Sequence, residues 1–181
     1  MPHALATRLD RPVVLVGLMG AGKSTVGRRL AKRLGLPFVD SDHEIARAAG
    51  LSAAEVFEKF GEQEFRDGER RVVARLVEEE PRVIATGGGA FLHPDTRALL
   101  EEKSITVWLD APVEILAERT GRRNTRPLLR KGDRREILEG LDRTRRPIYA
   151  EADLHVHSSV QAHSTVVEAI LKALEEHLDS Q

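Results

Sequence analysis

The stretch Gly17-Leu18-Met19-Gly20-Ala21-Gly22-Lys23-Ser24 follows directly on the apolar run Val13-Val14-Leu15-Val16. A short apolar run bounded by glycine predicts a buried strand. After the loop, Val26, Leu30 and Leu34 recur at i, i+4 and i+8, and Gly35 and Pro37 follow, so an amphipathic helix is predicted to start near Ser24 and stop at Gly35. Between strand and helix the pattern is G-x-x-x-x-G-K-S. Its chemistry is that of a phosphate cradle: backbone N–H groups close around phosphate oxygens, and Gly17, Gly20 and Gly22 let the chain turn tightly enough to do so. Lys23 then carries positive charge to the β- and γ-phosphates, the Ser24 hydroxyl holds Mg²⁺, and Thr25 adds a donor at the helix N-terminus. A nucleotide site follows, with the second substrate left open.

The chain has 181 residues, enough for a single domain to bury most of its apolar surface. It has no cysteine, which excludes disulfides, thiolate metal sites and cysteine nucleophiles and agrees with a reducing compartment. The first residues lack the long apolar run of a signal peptide, and the longest apolar stretch, around Val13 to Met19, is too short to span a bilayer. A soluble, cytoplasmic protein without membrane partners is expected. Net charge is −1, which argues against a chain that is basic all over. Charge is uneven, however: between Arg119 and Arg135 lie eight arginines and lysines against the single acid Asp133. Such a segment can be a solvated basic face, a nucleic-acid patch or a lid that closes over polyphosphate; beside a phosphate loop the lid is favoured.

Strands and helices alternate along the chain. Pro37 to Asp40 reads as a short strand, Glu44 to Ala49 as a helix stopped by Gly50, and Ala53 to Phe60 as a helix capped by Ser52 and ended by Gly61. A helix from Glu62 to Glu80 carries Phe65, Val72, Val73, Leu76 and Val77 on one face, with Gly68 costing it about 1 kcal/mol relative to alanine. Arg82 to Thr86 and Ser104 to Asp110 read as strands, each followed by a helix, the first opened by Pro94 and the second by Pro112. Arg135 to Tyr149 reads as helix, Asp153 to His157 as the last strand, and Val166 to Leu178 as the closing helix. Alternation of this kind calls for a parallel sheet covered on both faces, with ligands beyond the carboxyl ends of its strands.

Several polar clusters fall at such strand ends. Asp40 and Asp42 flank Ser41; Asp40 can take a Mg²⁺-bound water and Asp42 can orient or deprotonate an acceptor hydroxyl, although both types are also ordinary cap residues. Arg66 stands one turn into a helix, where Glu62 or Glu69 can hold it for a two-pronged grip on a carboxylate or simply pair with it at the surface. Gly87-Gly88-Gly89 marks either a tight turn or a close approach of backbone to ligand. Arg126 and Arg145 both precede a nearby proline and can reach a cleft. His155 and His157 share a strand face with metal-ligand spacing, but no third ligand is near in sequence and a surface role is expected. Trp108 and Phe91 are expected in the core.

Six motifs in register make the chain resemble the shikimate kinases from Val13 to Leu178: the phosphate loop, Asp40-Ser41-Asp42, Gly61 to Arg66, Gly87 to Gly89, Arg126-Pro127-Leu128-Leu129, and Arg145 to Tyr149. The resemblance implies an α/β P-loop kinase fold, a five-stranded parallel sheet of order 2-3-1-4-5 with helices on both faces. It implies one domain over 1–181, with a substrate-binding segment at 41–70 and a lid at 119–135. It further implies ATP-dependent phosphorylation of the 3-hydroxyl of shikimate in aromatic amino-acid biosynthesis, by a protein expected to be monomeric. The implied ATP contacts are Gly20, Ala21, Gly22, Lys23, Ser24, Thr25, Arg119, Arg126 and Gln161. Ser24 and Asp40 are the implied Mg²⁺ site. Asp42, Arg66, Gly87, Gly88, Gly89 and Arg145 would bind shikimate, and Asp42, Lys23 and Arg126 would carry the chemistry. Competing readings are a kinase of gluconate, of another small hydroxy acid or of a nucleoside monophosphate, and, from another class, a nucleotide-dependent nucleic-acid binder that uses the Arg119 to Arg135 segment.

Overall fold

In a computed structural model, residues 3–121, 133–158 and 162–181 are described. Five strands form one parallel sheet: β1 Val13–Val16, β2 Phe38–Asp40, β3 Val83–Ala85, β4 Ile105–Asp110 and β5 Leu154–His157. Their spatial order is β2-β3-β1-β4-β5, as the resemblance implies. Every neighbouring pair is parallel, with Val14 beside Ile84 on one side and Thr106 on the other. All residues of β1, β3 and β4 are buried, which is why they read as continuous apolar runs instead of alternating patterns.

Seven α-helices are described: α1 Lys23–Leu34, α2 Ser41–Ala49, α3 Ala53–Glu78, α4 Pro94–Lys103, α5 Val113–Gly121, α6 Arg134–Tyr149 and α7 His163–Asp179. The faces predicted from periodicity are the buried ones: Val26, Leu30 and Leu34 on α1, and Val166, Val167, Ile170 and Leu174 on α7. Trp108 and Phe91 are buried as expected. Each fully buried leucine contributes roughly 1.5–3 kcal/mol of transfer free energy, so these stripes hold the helices on the sheet.

Two boundaries differ from the sequence expectation. Gly61 does not end a helix. It adopts φ 85° and ψ 171°, a kink between two helical segments that continue without a loop as α3. The helix preceding it, α2, begins at Ser41 and not at Glu44, because Asp40 is its N-cap and accepts from the backbone N–H groups of Asp42 and His43. Asp42 therefore stands in the first turn of a helix. Gly68 leaves α3 intact, with open space around its Cα. A short 3₁₀ turn at Ala4–Arg8, capped by His3, precedes the sheet. No helix among the described residues is long and apolar enough to cross a membrane.

Candidate active site

At the carboxyl ends of β1, β2 and β3 a cleft of about 310 Å³ opens, where an open parallel sheet places its ligands. The phosphate loop forms one wall. Gly20 and Gly22 adopt φ 86° and 92°, a region that side chains rarely enter, and Gly22 caps α1 without any side-chain hydrogen bond. The loop thus meets α1 at the positive end of its helix dipole, where an anion is favoured. Lys23 is 8% exposed and donates from Nζ to the carbonyls of Gly17 and Leu18 at 2.6 and 2.9 Å. Those bonds hold the ammonium against the loop. Ala21, within the loop, is buried, and Thr25 lines the cleft.

Beside the loop, Ser24 Oγ donates to Asp40 Oδ2 at 2.5 Å, while the other oxygen of Asp40 caps α2. One carboxylate thus serves both readings of Asp40, cap and cleft ligand. A serine hydroxyl and a carboxylate in contact are hard oxygen donors, a set that fits Mg²⁺. Arg119 reaches over from α5 and donates from Nη1 to the carbonyl of Gly20 at 3.2 Å.

The opposite wall is built on the triple glycine that follows β3. A Cβ on Gly87 would stand 2.6 Å from Oδ1 of Asp42, and one on Gly89 would lie 2.7 Å from Cζ of Arg66. Both side chains therefore pack directly on glycine backbone, within a turn in which the Ala90 N–H donates to the Gly87 carbonyl at 3.3 Å. Arg145 donates to the carbonyl of Gly88 at 3.3 Å, and the Tyr149 hydroxyl donates to that same oxygen at 2.5 Å. Burial pushes the Tyr149 phenol up to about 12 against the opposing charge of Arg145, so the hydroxyl keeps its proton and remains a donor. Of the two acids considered for Arg66, Glu69 is the partner, at 2.8 Å and 1% exposed.

Behind Arg145, its neighbour Arg146 makes a two-pronged bond to Asp110 at the end of β4, at 2.7 and 2.8 Å. This fork and a position 4.9 Å above the Trp108 ring fix the last turn of α6 against the sheet.

Three cleft residues escaped the sequence reading: Thr86, Thr120 and His163. Thr86 stood directly before the triple glycine, a signal that was legible. His163 carries no local signal; only the packing of α7 brings it to the phosphate loop, where burial and then the charges of Arg119 and Arg29 lower its pKa. Arg126 and Gln161 lie outside the described residues, as does the lid segment from 122 to 132. His155 and His157 occupy an edge strand as expected, but a third ligand type, Asp110, does adjoin them in space. A larger hollow, of about 670 Å³, separates α2 from α3 and is lined by Ile45, Val56, Phe65 and Val72 with arginines at its rim. It lacks the convergent polar backbone of the smaller cleft.

Comparison with known proteins agrees with this geometry. A family model described as shikimate kinase matches residues 19–175. The shikimate kinase of Caulobacter vibrioides is 55% identical over 170 residues, covering 94% of this chain and 85% of the relative. That of Novosphingobium aromaticivorans is 51% identical over 178 residues, covering 96% and 92%. Among solved structures, shikimate kinase from Acinetobacter baumannii in complex with shikimate superposes with a TM-score of 0.90 at 40% identity, over 94% of this chain and 96% of that one. A gluconokinase from Sinorhizobium meliloti, at 20% identity and a TM-score of 0.62, shares the fold alone. By the extent of the family match and the identity of its relatives, the chain belongs to the shikimate kinase family.

Proposed function

We infer that this chain transfers the γ-phosphoryl group of ATP to the 3-hydroxyl of shikimate, yielding shikimate 3-phosphate and ADP. The observation that carries this reading is that the phosphate-cradling loop, Asp42, Gly87 and Gly88 line one cleft, while the guanidinium groups of Arg145 and Arg66 pack on Gly88 and Gly89 beside it. Shikimate is small, anionic and rich in hydroxyls, and the triple-glycine wall offers each of those groups a partner.

The proposed roles follow from placement. The loop from Gly20 to Thr25, with Lys23, binds the β- and γ-phosphates, and Arg119 from α5 closes over the nucleotide. Arg126 and Gln161, outside the described residues, are proposed as a further lid contact on the transferring group and a contact to adenine. Arg66 and Arg145 grip the acceptor carboxylate, each held by a partner of its own: Glu69 for the first, the Gly88 carbonyl for the second. Gly87, Gly88 and Gly89 present backbone to the ring. Asp42 holds the acceptor hydroxyl in line with the γ-phosphorus and takes up its proton as the new P–O bond forms and the bond to the ADP oxygen breaks. Ser24 and Asp40 would hold Mg²⁺, whose chemistry is to neutralise charge on the phosphate oxygens. Arginines meeting a carboxylate and one aspartate meeting a hydroxyl leave positioning and charge stabilisation as the protein's main contributions.

We propose a monomer as the working unit, and the absence of cysteine suits a reducing cytoplasm. The deciding experiment is ADP release with a panel of acceptors in the presence of ATP and Mg²⁺. Turnover with shikimate, with a phosphate monoester at its 3-position by ³¹P resonance, is expected. Strong turnover of gluconate or a nucleoside monophosphate and none of shikimate would overturn the reading, as would tight, salt-sensitive RNA binding without acceptor-dependent ATP use.

A further inference from the structure

The edge strand β5 carries His155 and His157 two residues apart, so both imidazoles belong to one face of the sheet. Its neighbour β4 ends at Asp110, which pairs in register with His157 while Trp108 pairs with His155. Nε2 of His155 lies 2.8 Å from Oδ2 of Asp110, and Nδ1 of His157 lies 3.7 Å from that same oxygen. All three ligand-type atoms fall within 4.8 Å of one another. Ligands about 2.0–2.1 Å from a tetrahedral cation stand roughly 3.3–3.4 Å apart, a value that the two shorter separations bracket. The third separation, at most 4.8 Å, runs to His157, whose exposed side chain has room to turn.

The surroundings favour ligation. Both oxygens of Asp110 accept from Arg146, Oδ1 from Nη2 at 2.7 Å and Oδ2 from Nη1 at 2.8 Å, so a cation at Oδ2 replaces the Nη1 contact and keeps the Oδ1 bond as the outer hydrogen bond that orients the carboxylate. The His155 ring is fixed by stacking on Trp108, with centroids 4.1 Å apart and planes 12° apart. His157, its side chain 79% exposed, leaves an entry path from solvent.

We propose that Asp110, His155 and His157 form a binding site for one divalent transition cation of the Zn²⁺, Ni²⁺ and Cu²⁺ class, with water completing its coordination. Two imidazoles and one carboxylate suit these borderline ions, whereas Mg²⁺ prefers oxygen ligands alone. The site is therefore separate in chemistry from the Ser24 and Asp40 pair.

Trp108 is the only tryptophan of the chain, and its stacking on His155 makes it a local reporter. The test is titration of the tag-free protein with CuCl₂, followed by Trp108 fluorescence. Quenching is expected to saturate at one equivalent, to be reversed by a large excess of ZnCl₂ and to be unaffected by the same excess of MgCl₂. His157→Ala, a change at an exposed side chain, is expected to weaken the response at least about tenfold, while His3→Ala leaves it unchanged. Equal saturating quenching in wild type and His157→Ala, loss of the response in His3→Ala, reversal by MgCl₂, or quenching that never saturates would each overturn the site.

Discussion

Arg66 donates from Nη1 to Oε1 of Glu69 at 2.8 Å across one turn of α3, and the glutamate is 1% exposed while its other oxygen has no hydrogen-bond partner among the described residues. Burial raises the Glu69 pKa above 4.5, and the Arg66 charge offsets this only in part. A raised folded pKa means that the native protein holds this proton more tightly than the unfolded chain does. The contribution to stability is present in full below the unfolded value and is lost as pH rises through the folded one. Glu69→Gln removes that loss, so urea unfolding at about pH 4 and about pH 7 should show the variant gaining on wild type at the higher pH. Its KM for shikimate should nevertheless rise, because Arg66 loses its charged partner. An equal stability difference at both pH values would contradict the assignment.

Gly87 and Gly89 offer a matched pair of probes. Gly87→Ala drives a methyl into the Asp42 carboxylate and Gly89→Ala drives one into the Arg66 guanidinium, both of which are movable side-chain ends. The fold should survive in each. Turnover should fall mainly in the first and shikimate affinity mainly in the second, a split readable in kcat against KM from initial rates. Gly17→Ala is expected to be worse than either, since its φ is 143° and its Cβ would meet the Leu109 carbonyl at 2.6 Å, backbone that cannot swing away.

Asp42→Asn keeps the shape of the side chain and removes its basicity. If Asp42 takes the proton, kcat should drop about 10²- to 10⁴-fold with KM for shikimate little changed. Arg145→Ala and Arg66→Ala should each raise that KM by roughly 10- to 100-fold, the range for losing a hydrogen bond between charged groups, with KM for ATP unmoved. Parallel changes in both KM values would take these arginines out of the acceptor site.

Arg146→Ala leaves the buried Asp110 without its fork and should cost about 1–3 kcal/mol at neutral pH, a drop of roughly 2–4 °C in Tm for each kcal/mol. Asp110 has a folded pKa held below 3.8. Its contribution is therefore present above that value and lost as pH falls through the folded pKa, so the gap between variant and wild type should close in acid. Since Arg146 also fixes the turn that carries Arg145, a rise in the KM for shikimate should accompany the loss of stability. Differential scanning calorimetry across pH, with initial rates at neutral pH, checks both.

Much of the architecture was legible because it rests on local rules. A buried parallel strand must be apolar throughout, and a helix on a sheet must repeat its apolar residues every turn; Val13 to Val16 and the Val26, Leu30, Leu34 stripe obey both. Boundaries were less legible. Gly61 reads as a stop but bends a continuing helix, since positive φ is equally suited to a cap and a kink. Asp40 reads as cap or ligand, and its two oxygens allow both at once.

Glu69 and Asp110 show where sequence reading ended. Glu69 was one of two acids within a turn of Arg66, and only its burial selects it over Glu62, which stays exposed. Asp110 stands 36 residues from Arg146 and 45 from His155, and no periodicity connects them. By itself the sequence determined the phosphate loop, the alternation of strands and helices and the set of charged side chains available, because these depend on residues adjacent in the chain. Tertiary structure alone decided which charges face one another, because pairing is set by distance and desolvation between segments that only the closed sheet brings together.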